Sequence, residues 1–566
     1  MPQIRPTIRF GVMCDSTSLD AWQARCIQEL LTIPGVELAL VIGNHGRTTD
    51  TYQTPLRGAF SRLLERVRHG WLLWTLFYVF WVKRRTASLK PVDMSGTFAG
   101  VPVLNCRVEL RGRFSEHFLP DDVARVRQHQ LDFILRFGFN IIRGDILSSA
   151  RHGVWSHHHD DPSAYRGRPA GFWEVFNGDA CSGCVLQRLT DALDDGHMLR
   201  RGIYQTRPGY AANLDALLTA SSSFAAHVCR ELMDTGAEPM SPGPPPSPAI
   251  VGLPSDALML RFFFRSIGRF RAHLVKRSLI LHWNVGIVPR RIETLVSGRH
   301  LVGPEVRWLE PDSRSFSADP FILGSDANRL DLLVEHYEYA AAKGTIVALS
   351  MSLDGRCLSR TTAIDEPWHL AYPHVVRIGD EVWCSPEATH SKAVSGYRRD
   401  SGTGRWIACP WIGDIRAIDP TFVQHQDRWW LFYTDGRIGD TDNLCIAWSS
   451  DVNGPWTHHP RNPVKVDVRS SRPAGSFFLV DGQLYRPAQD CSRSYGGAIS
   501  INLVRSLNDA RFDEEEVSRM EPHPDSECPS GLHTLCAGGG VLVIDGLRHR
   551  FAPWLKLREW LAERRR

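Results

Sequence analysis

The chain has 566 residues, of which 43% are hydrophobic and 23% are charged, fractions close to the averages of globular proteins. The composition therefore excludes a wholly disordered chain, and the length excludes a single small domain. The formal net charge of +4 excludes the strongly basic balance that is typical of nucleic-acid-binding proteins. We expect a multidomain protein whose partner is a small molecule, with no nucleic acid bound.

The first residues lack the pattern of a secretory signal. The opening MPQIRPTIRFGVMCDSTSL has no charged start followed by an apolar core and a small-residue cleavage site. The 13 Cys are spread along the chain, and the lone pair Cys181 and Cys184 lacks the second pair that a zinc ribbon needs. We therefore expect a cytoplasmic protein with reduced cysteines and no metal site.

Strand and helix patterns alternate before residue 237. Apolar runs at 8–15 and 36–44 flank an amphipathic stretch at 20–35, which is the pattern of a βαβ unit. Further strands are predicted at 131–139 and from residue 154 onward. Residues 1–236 are expected to form an α/β domain of the Rossmann type, with a parallel sheet and helices on both faces.

One aromatic-rich run, from Trp71 to Val82, is about eight residues too short to span a bilayer as a helix. Basic residues flank this run on both sides, among them Arg68, Lys83 and Arg84. Such a run is typical of a helix that lies on a membrane surface. The alternatives are a buried helix or a contact with another subunit.

The second half of the chain begins after a proline-rich segment. Residues 237–250, AEPMSPGPPPSPAI, predict a linker because this density of proline defeats both helix and sheet. A helical pattern at 258–275 predicts a helical connector over 251–306. From 307 onward, short alternating strands and turns take over.

Four segments of this half begin with a residue followed by proline and continue through two apolar strands, with starts at Asp319, Tyr372, Asp419 and Arg472. A spacing of about 50 residues is typical of propeller blades, and residues 532–549 supply a fifth, degenerate unit. Residues 307–566 are therefore expected to form an all-β five-bladed propeller, whose closed ring leaves few exposed strand edges.

The densest group of chemically useful side chains in the first half is SHHHDDP at 156–162, at the end of a predicted strand. Ligands bind at such strand ends in open α/β sheets. Only His157 and His159 would point to the same side of the strand, which counts against a zinc site. A His here and a carboxylate on the loop at Asp194 would suit general-base chemistry, and a purely structural histidine cluster is the alternative.

These motifs resemble the folate-dependent formyltransferases over residues 8–220. The resemblance rests on Ser156-x-His158, on the Arg166-Gly167 pair and on the loop that carries Asp194. It implies that His158 and Asp194 are catalytic and that Ser156 stands where the family has an oxyanion-holding asparagine. It also implies 10-formyltetrahydrofolate as formyl donor, with a pterin site formed by Phe137, Gly138, Asn140, Ile142, Leu189 and Asp191.

Carboxylates recur in the predicted propeller, where Asp319 and Asp419 precede prolines and Glu387 and Asp490 occupy later matched positions. We expect these four residues to bind substrate in a central funnel. The pattern resembles five-bladed arabinanase and xylosidase glycosidases. The stretches ADPF, EPWHLAYP, IDPTF and RPAQDCSRSYG resemble the propeller portion of the plant glucosamine inositolphosphorylceramide transferases. Arg472 stands where the glycosidases carry a general-acid Glu, which counts against hydrolysis.

Two classes of function follow from these patterns. The first is a folate-dependent formyltransferase that N-formylates an amine on an amino sugar or sugar-linked metabolite, with the propeller aiding substrate recognition. The alternative is a carbohydrate-active or carbohydrate-binding propeller protein, related to glycosidases or glycosyltransferases. In that case the N-terminal domain is non-catalytic or transfers another one-carbon or acyl group.

Overall fold

The computed structural model describes residues 8–44, 68–111, 115–191, 196–239, 250–388 and 393–563. The chain divides into two units, residues 1–270 and 271–566. The first unit is α/β and the second consists mainly of β-strands, in the order that the sequence predicts. None of the helices in the described part of the chain is long and apolar enough to cross a membrane.

The first unit is built on a sheet that holds seven strands in the described residues. Their spatial order is His197–Gln205, Cys181–Arg188, Val154–His158, Phe133–Arg136, Ile8–Cys14, Val36–Asn44 and Val103–Cys106.

The expectation of a wholly parallel sheet is wrong at one edge. The strands Cys181–Arg188 and His197–Gln205 run antiparallel, whereas the described strands from Val154–His158 onward are parallel. The connection at 189–196 has eight residues, which is too short for the crossover that a parallel pair needs. These two strands therefore form an antiparallel pair.

Both faces of this sheet are buried, because successive strand residues point to opposite sides. Phe133 and Leu135 face one core, in which the Phe133 ring stacks on Trp155 at 3.9 Å. Ile134 faces a second core together with Ile142. The helices of this unit are Ala21–Leu31, Leu72–Phe77, Tyr78–Val82, Lys83–Arg85, Ala87–Leu89, Ser95–Phe98, Pro120–Arg127, Asp145–Ser148, Phe172–Asn177, Tyr210–Ser221, Phe224–Thr235 and the start of Asp256–Arg277.

Short strands complete the first unit in three small sheets among the described residues. These strands are Ser18–Asp20 with Pro91–Asp93, Val108–Arg111 with Ser115–Phe118 and Ile141–Arg143, and Arg166–Gly167 with Ile250–Val251. Residues 240–249 of the predicted linker lie outside the described residues, so this linker stays a prediction.

The described residues of the second unit form five sheets, which we number in chain order. Sheet 1 is Ser315–Ser325, Arg329–Glu338, Lys343–Ser352 and Cys357–Ile364. Sheet 2 is Ala371–Ile378, Glu381–Glu387, Ala393–Arg399 and Trp406–Gly413. Sheet 3 is Ala417–His425, Arg428–Asp435, Asn443–Ser449, Thr457–His458 and Lys465–Val466.

Sheets 4 and 5 combine strands from distant parts of the unit. Sheet 4 is Gly298–Val302, Phe478–Val480, Gln483–Asp490, Ala498–Leu507 and Phe512–Pro522. Sheet 5 is Leu279–Val288, Arg307–Trp308, Leu535–Gly538 and Val541–Phe551, and the helix Pro553–Glu563 follows it.

The predicted helical connector over 251–306 is helical mainly over Asp256–Arg277, with a short turn at Ile292–Leu295. Leu279–Val288 is instead a buried strand that pairs along its whole length with Val541–Phe551. Because the first long strand of the unit pairs with the last, this sheet joins the two ends of the all-β region.

Apolar side chains fill the space between successive sheets. Separate cores link sheets 1 and 2, sheets 2 and 3, sheets 3 and 4, and sheets 4 and 5. Another core, which contains Val285, Val543 and Leu332, links sheet 5 back to sheet 1. Each described sheet therefore packs against two others.

Candidate functional site

The starts of sheets 1, 2 and 3 share an uncommon backbone conformation. Asp319, Tyr372 and Asp419, each followed by proline, have φ angles of 51°, 46° and 50°. The strand pairing shifts register at each of these positions. A left-handed residue other than glycine costs about 1–3 kcal/mol and persists only where surrounding contacts hold it, often at functional sites.

Buried carboxylates supply the contacts that hold these positions. The amide of Asp319 donates to Asp545 Oδ2 at 2.9 Å, and the amide of Tyr372 donates to Asp319 Oδ2 at 3.1 Å. The amide of Asp419 donates to Glu387 Oε2 at 3.2 Å. Carboxylates of one sheet therefore fix the strained start of the next.

We call these carboxylates the acidic cluster, which in the described residues comprises five buried side chains: Asp319, Glu335, Glu387, Asp419 and Asp545. Burial raises the pKa of Asp319 to about 6, although nearby His533 opposes this rise. Burial also holds the pKa values of Glu335 and Glu387 well above the usual range, and neighbouring carboxylates add to this effect. Both side chains therefore favour the protonated form more strongly than an exposed glutamate does.

The guanidinium group of Arg472 binds one carboxylate of this cluster. Its Nε lies 2.6 Å from Asp419 Oδ2, its Nη2 lies 3.2 Å from Asp419 Oδ1, and Nη2 also donates to the Tyr495 hydroxyl at 3.3 Å. Gln489 Nε2 donates to the same Asp419 Oδ2 at 2.8 Å. Glycoside hydrolysis needs two carboxyl groups with distinct acid and base or nucleophile roles. A carboxylate held by this many donors is poorly suited to either role.

His533 lies between the other two aspartates of the cluster. Its Nδ1 is 2.6 Å from Asp545 Oδ2, and its Nε2 is 3.4 Å from Asp319 Oδ1. Burial opposes a charge on this ring, but the two aspartates raise its pKa above the usual value. The Trp283 ring stacks on His533 at 3.8 Å. Ligand atoms of Asp319, His533 and Asp545 lie within 4.8 Å of one another, close enough to share a cation or a proton.

Asp490 does not share the cluster's contacts. Its carboxylate pairs with Arg519 in the same sheet, and its Oδ1 accepts from the Ser492 amide at 2.9 Å. Successive strand residues point to opposite sides, so the preceding residue, Gln489, is the one that contacts Asp419. The structure thus brings together Asp319, Glu387 and Asp419 and separates Asp490 from them.

In the first unit, Ser156 is buried beside an arginine. Arg136 donates to Ser156 Oγ from Nε at 3.3 Å and from Nη2 at 3.1 Å, and its Nη1 donates to the Asn140 carbonyl at 2.5 Å. The implied oxyanion position therefore has a guanidinium next to a hydroxyl. His158 ends the same strand, with Nε2 2.9 Å from Gln187 Nε2. Asp194 lies outside the described residues.

The segment expected to hold a pterin already has protein partners. The amides of Phe139, Asn140 and Gly144 donate to carboxylates, those of Asp15 at 3.4 Å, Glu116 at 2.7 Å and Asp191 at 2.8 Å. The amide of Gly138 donates to the Met13 carbonyl at 3.0 Å. Phe137 packs on Trp22, and Ile142 is in the core that Leu189 flanks. This arrangement does not fit a pterin that is held by backbone amides.

The other two histidines of the run have structural contacts. His157 Nε2 lies 3.1 Å from the Ser221 carbonyl, and His159 Nε2 lies 3.1 Å from Ser221 Oγ. Burial lowers the pKa of His157 to about 4 and the pKa of His159 well below its usual value. Both rings are therefore neutral, and both make edge contacts with the Trp22 ring.

Asp160, which directly follows this histidine run in the chain, is half-buried, and Glu174 is buried. Burial raises the pKa of Asp160 to about 7 and that of Glu174 to about 8, and the charge of Asp160 adds to the effect on Glu174. Asp160 Oδ1 accepts from the Gly171 amide at 2.8 Å. Neither Glu174 oxygen has a hydrogen-bond partner within the described residues. Glu174 is therefore protonated through most of the neutral range.

Several of these residues were missed by sequence reasoning, namely Arg136, Glu335, His533 and Asp545. Three of them share one signal, which is an ionisable residue that directly follows an apolar run within a strand: FILR, LLVEHY and VLVID. Charged residues are seldom buried unless they are paired, so each such residue predicts a partner. The sequence does not say which partner that is.

Comparisons with known proteins concern mainly the second unit. Residues 310–527 match the family model described as glucosamine inositolphosphorylceramide transferase 1, N-terminal. The chain is 32% identical over 249 residues to glucosamine inositolphosphorylceramide transferase 1 of Oryza sativa subsp. indica, which covers 41% of this chain and 33% of that protein. The protein of the same name from Arabidopsis thaliana is 32% identical over 209 residues, covering 36% and 27%. The match thus spans about a third of the length of these curated relatives.

Among solved structures, the chain is similar to Zg3597, a family 117 glycoside hydrolase of Zobellia galactanivorans, at 13% identity and a TM-score of 0.31. That match covers 48% of this chain and 91% of the other. Glycinamide ribonucleotide transformylase 1 of Symbiobacterium toebii matches at 16% identity and a TM-score of 0.25, covering 39% and 84%. With TM-scores this low, neither structure adds to the argument on function.

Proposed function

We propose that the second unit is a five-bladed propeller that binds a carbohydrate at the acidic cluster, and that the chain is a transferase acting on a sugar-containing substrate. The observation that carries this proposal is the acidic cluster itself, with Arg472 bonded to Asp419 at the strained starts of neighbouring sheets. The match of residues 310–527 to a sugar transferase family supports it.

The packing of the sheets supports a closed ring. Sheets 1 to 5 pack in chain order, and sheet 5 packs on sheet 1. In sheet 5, Leu279–Val288 pairs with Val541–Phe551. This pairing of an early strand with the last strand would then hold the ring closed. In such a propeller the first strands of all blades surround the central axis, where the acidic cluster would lie.

The charge of the cluster indicates what kind of sugar it would take. Five buried carboxyl groups face two basic side chains, Arg472 and His533, so acidic groups outnumber basic groups in the cluster. Carboxylates accept hydrogen bonds from sugar hydroxyls and attract an ammonium group. An amino sugar therefore suits the cluster better than an acidic sugar.

Transfer fits the cluster better than hydrolysis does. Asp419 is held by Arg472 and Gln489, so it is poorly placed to act as base or nucleophile. Asp319, with a pKa near 6, is the residue best suited to accept a proton from a sugar hydroxyl. His533 would orient Asp319 and stabilise its charge.

Sugar binding tests the proposal. Calorimetric titration of the full chain with glucosamine, N-acetylglucosamine and glucuronic acid should give binding in the order amino sugar, neutral sugar, acidic sugar. Asp319→Asn should lower the affinity for the sugar that binds most tightly by more than about tenfold, which is the scale of a lost hydrogen bond to a charged group. Asp331→Asn, a partly exposed residue of the same sheet that bonds Ser350, is the control and should bind normally. Absence of binding to every sugar, or equal effects of both variants, would reject the proposal.

N-formylation of an amine from 10-formyltetrahydrofolate is a second proposal, for the first unit. The observation that favours it is His158 at the carboxyl end of a central strand, two residues after Ser156 and beside Gln187. The occupied amides of Phe139, Asn140 and Gly144 count against it. If formyl transfer occurs, His158→Ala should lower turnover about 10²–10³-fold, and His197→Ala on the strand His197–Gln205 should not.

A further inference from the structure

Two helices of the first unit pack together and present an apolar surface. One begins with Leu72–Phe77 and continues through Tyr78–Val82 to Lys83–Arg85, and the other is the first part of Asp256–Arg277. The Phe77 ring contacts the rings of Phe262 and Phe263, both at 5.6 Å. The Asp256 carboxylate also accepts from the Leu73 amide at 2.8 Å. These contacts fix the two helices side by side.

Each helix exposes large apolar side chains beyond its packed face. The second helix exposes Leu260, Phe264 and Ile267, which are spaced as one stripe of a helix, and Phe264 is 74% exposed. The first helix exposes Leu76, Val79, Phe80 and Trp81, and Phe80 is 57% exposed. Most large apolar side chains of this unit are buried. A group of exposed ones on two adjacent helices therefore indicates a surface that contacts something else.

The two exposed stripes belong to one surface. Phe263 lies three residues after Leu260 and four before Ile267, and is therefore on the same side of its helix as that stripe. Phe80 lies in the π-helical stretch Tyr78–Val82 and follows Leu76, the chain neighbour of Phe77, by four residues, which is about one turn of such a helix. Since Phe77 and Phe263 are in ring contact, the stripes flank a shared seam. We call this the two-helix surface, with Leu76, Phe80, Leu260, Phe264 and Ile267 as its apolar residues.

Basic side chains border this surface. Lys83, Arg84 and Arg85 are exposed at the end of the first helix, where the Arg84 and Arg85 guanidinium groups lie 5.6 and 3.8 Å from the Phe80 and Trp81 rings. Arg261 and Arg265 are exposed along the second helix. In the sequences 68–86 and 256–270, Asp256 is the single carboxylate, and it is bonded to Leu73. The surface is thus apolar and aromatic with a cationic border.

We propose that the two-helix surface lies on an anionic membrane. Exposed Phe and Trp side chains with adjacent Arg and Lys are what an interfacial helix uses to enter the headgroup region. Each Lys or Arg near such a surface contributes about 1 kcal/mol of attraction to anionic lipid. A second copy of the chain is a poorer partner, because a symmetric contact would bring two cationic borders together.

Vesicle sedimentation of the full chain tests this proposal. The chain should sediment with phosphatidylcholine vesicles that contain about a third phosphatidylserine, and should bind pure phosphatidylcholine vesicles much less. Raising the salt concentration should weaken binding, because exposed charges are screened. Failure to sediment with anionic vesicles, or equal binding to both kinds, would overturn the proposal.

Variants separate the apolar and charged contributions. Phe80→Ser with Phe264→Ser should lower vesicle affinity more than tenfold, since both rings lose their burial in lipid. Arg84→Gln with Arg85→Gln should lower it about 25-fold, at about fivefold for each charge. Val103→Ser with Leu110→Ser, which removes equally exposed apolar residues elsewhere in the unit, should have no effect.

Circular dichroism and the thermal transition verify that each variant is folded. Light scattering of the chain without vesicles reveals the other outcome. If Phe80→Ser with Phe264→Ser turns a dimer into a monomer and leaves vesicle binding intact, the surface is a contact between copies and the membrane proposal is wrong. The result does not depend on the proposed function of the acidic cluster, because no enzymatic activity is measured.

Discussion

The Arg472 guanidinium and the Asp419 carboxylate form a two-point ion pair in which both side chains are at least nine-tenths buried, with nitrogen–oxygen distances of 2.6 and 3.2 Å. The pair joins the start of sheet 3 to the chain just before sheet 4. Removal of one partner of a buried pair leaves the other charge without compensation.

Arg472→Met is therefore expected to destabilise the second unit by about 3–5 kcal/mol, the cost of breaking a buried ion pair from one side. Chemical denaturation, followed by tryptophan fluorescence, measures this loss. The matched control is Arg505→Met, which breaks the exposed ion pair with Glu515 and should cost no more than about 1 kcal/mol. Equal losses in the two variants would show that Asp419 does not depend on Arg472.

Tyr372→Phe tests the hydroxyl that links sheet 2 to sheet 3 and to the segment before Phe478. This hydroxyl accepts from the Gly475 amide at 2.7 Å and lies 2.8 Å from Thr421 Oγ1, and all of these groups are buried. Its removal leaves a buried amide without a partner and should cost about 1–3 kcal/mol. Tyr485→Phe, whose hydroxyl makes only a 3.4 Å contact with Gln483, should be almost neutral in the same denaturation measurement.

Glu174→Gln tests the buried carboxyl group of the first unit. Because the pKa of Glu174 is raised to about 8, the native state holds its proton more tightly than the unfolded state, and stability falls as pH rises from about 4.5 toward 8. The amide variant has no such loss. We expect it to be more stable than the parent by up to about 4 kcal/mol at pH 8 and by less than about 1 kcal/mol at pH 5. A difference that does not change with pH would contradict the assignment.

The local pattern of the sequence predicts much of the fold. Ile8–Cys14, Ala21–Leu31 and Val36–Asn44 form where the apolar periodicity places them, because burial of an amphipathic face decides each of these elements. Leu279–Val288 was missed because the strand that pairs with it, Val541–Phe551, is more than 250 residues away in the sequence. No local pattern reports such a partner.

The sequence also predicts part of the candidate site. The repeated X-Pro pairs identify Asp319 and Asp419, since a recurring position in a repeat occupies a recurring place in the fold. Asp490 was assigned to the wrong side of its strand, because a shift of one residue reverses the direction of a side chain. Asp545 lies in sheet 5 and His533 just before its strand Leu535–Gly538, and each contributes a single side chain, so their role follows only from the three-dimensional contacts.

The boundary of the all-β unit can be tested with two fragments. A fragment of residues 271–566 keeps Leu279–Val288, whereas one of residues 307–566 loses it and exposes the edge of Val541–Phe551. The longer fragment should be soluble and unfold cooperatively, and the shorter one should aggregate, because an exposed apolar strand edge recruits other chains. Solubility and a cooperative thermal transition in the shorter fragment would show that the strand is dispensable.

Carbohydrate binding at the acidic cluster is tested most directly by a crystal structure of the full chain grown with glucosamine. We predict a sugar with its hydroxyl or ammonium groups within hydrogen-bond distance of the Asp319 carboxylate, close to Arg472 and Tyr495. A sugar bound only at a surface distant from Asp319, or an acidic cluster that stays free of sugar at saturating concentration, would contradict the account.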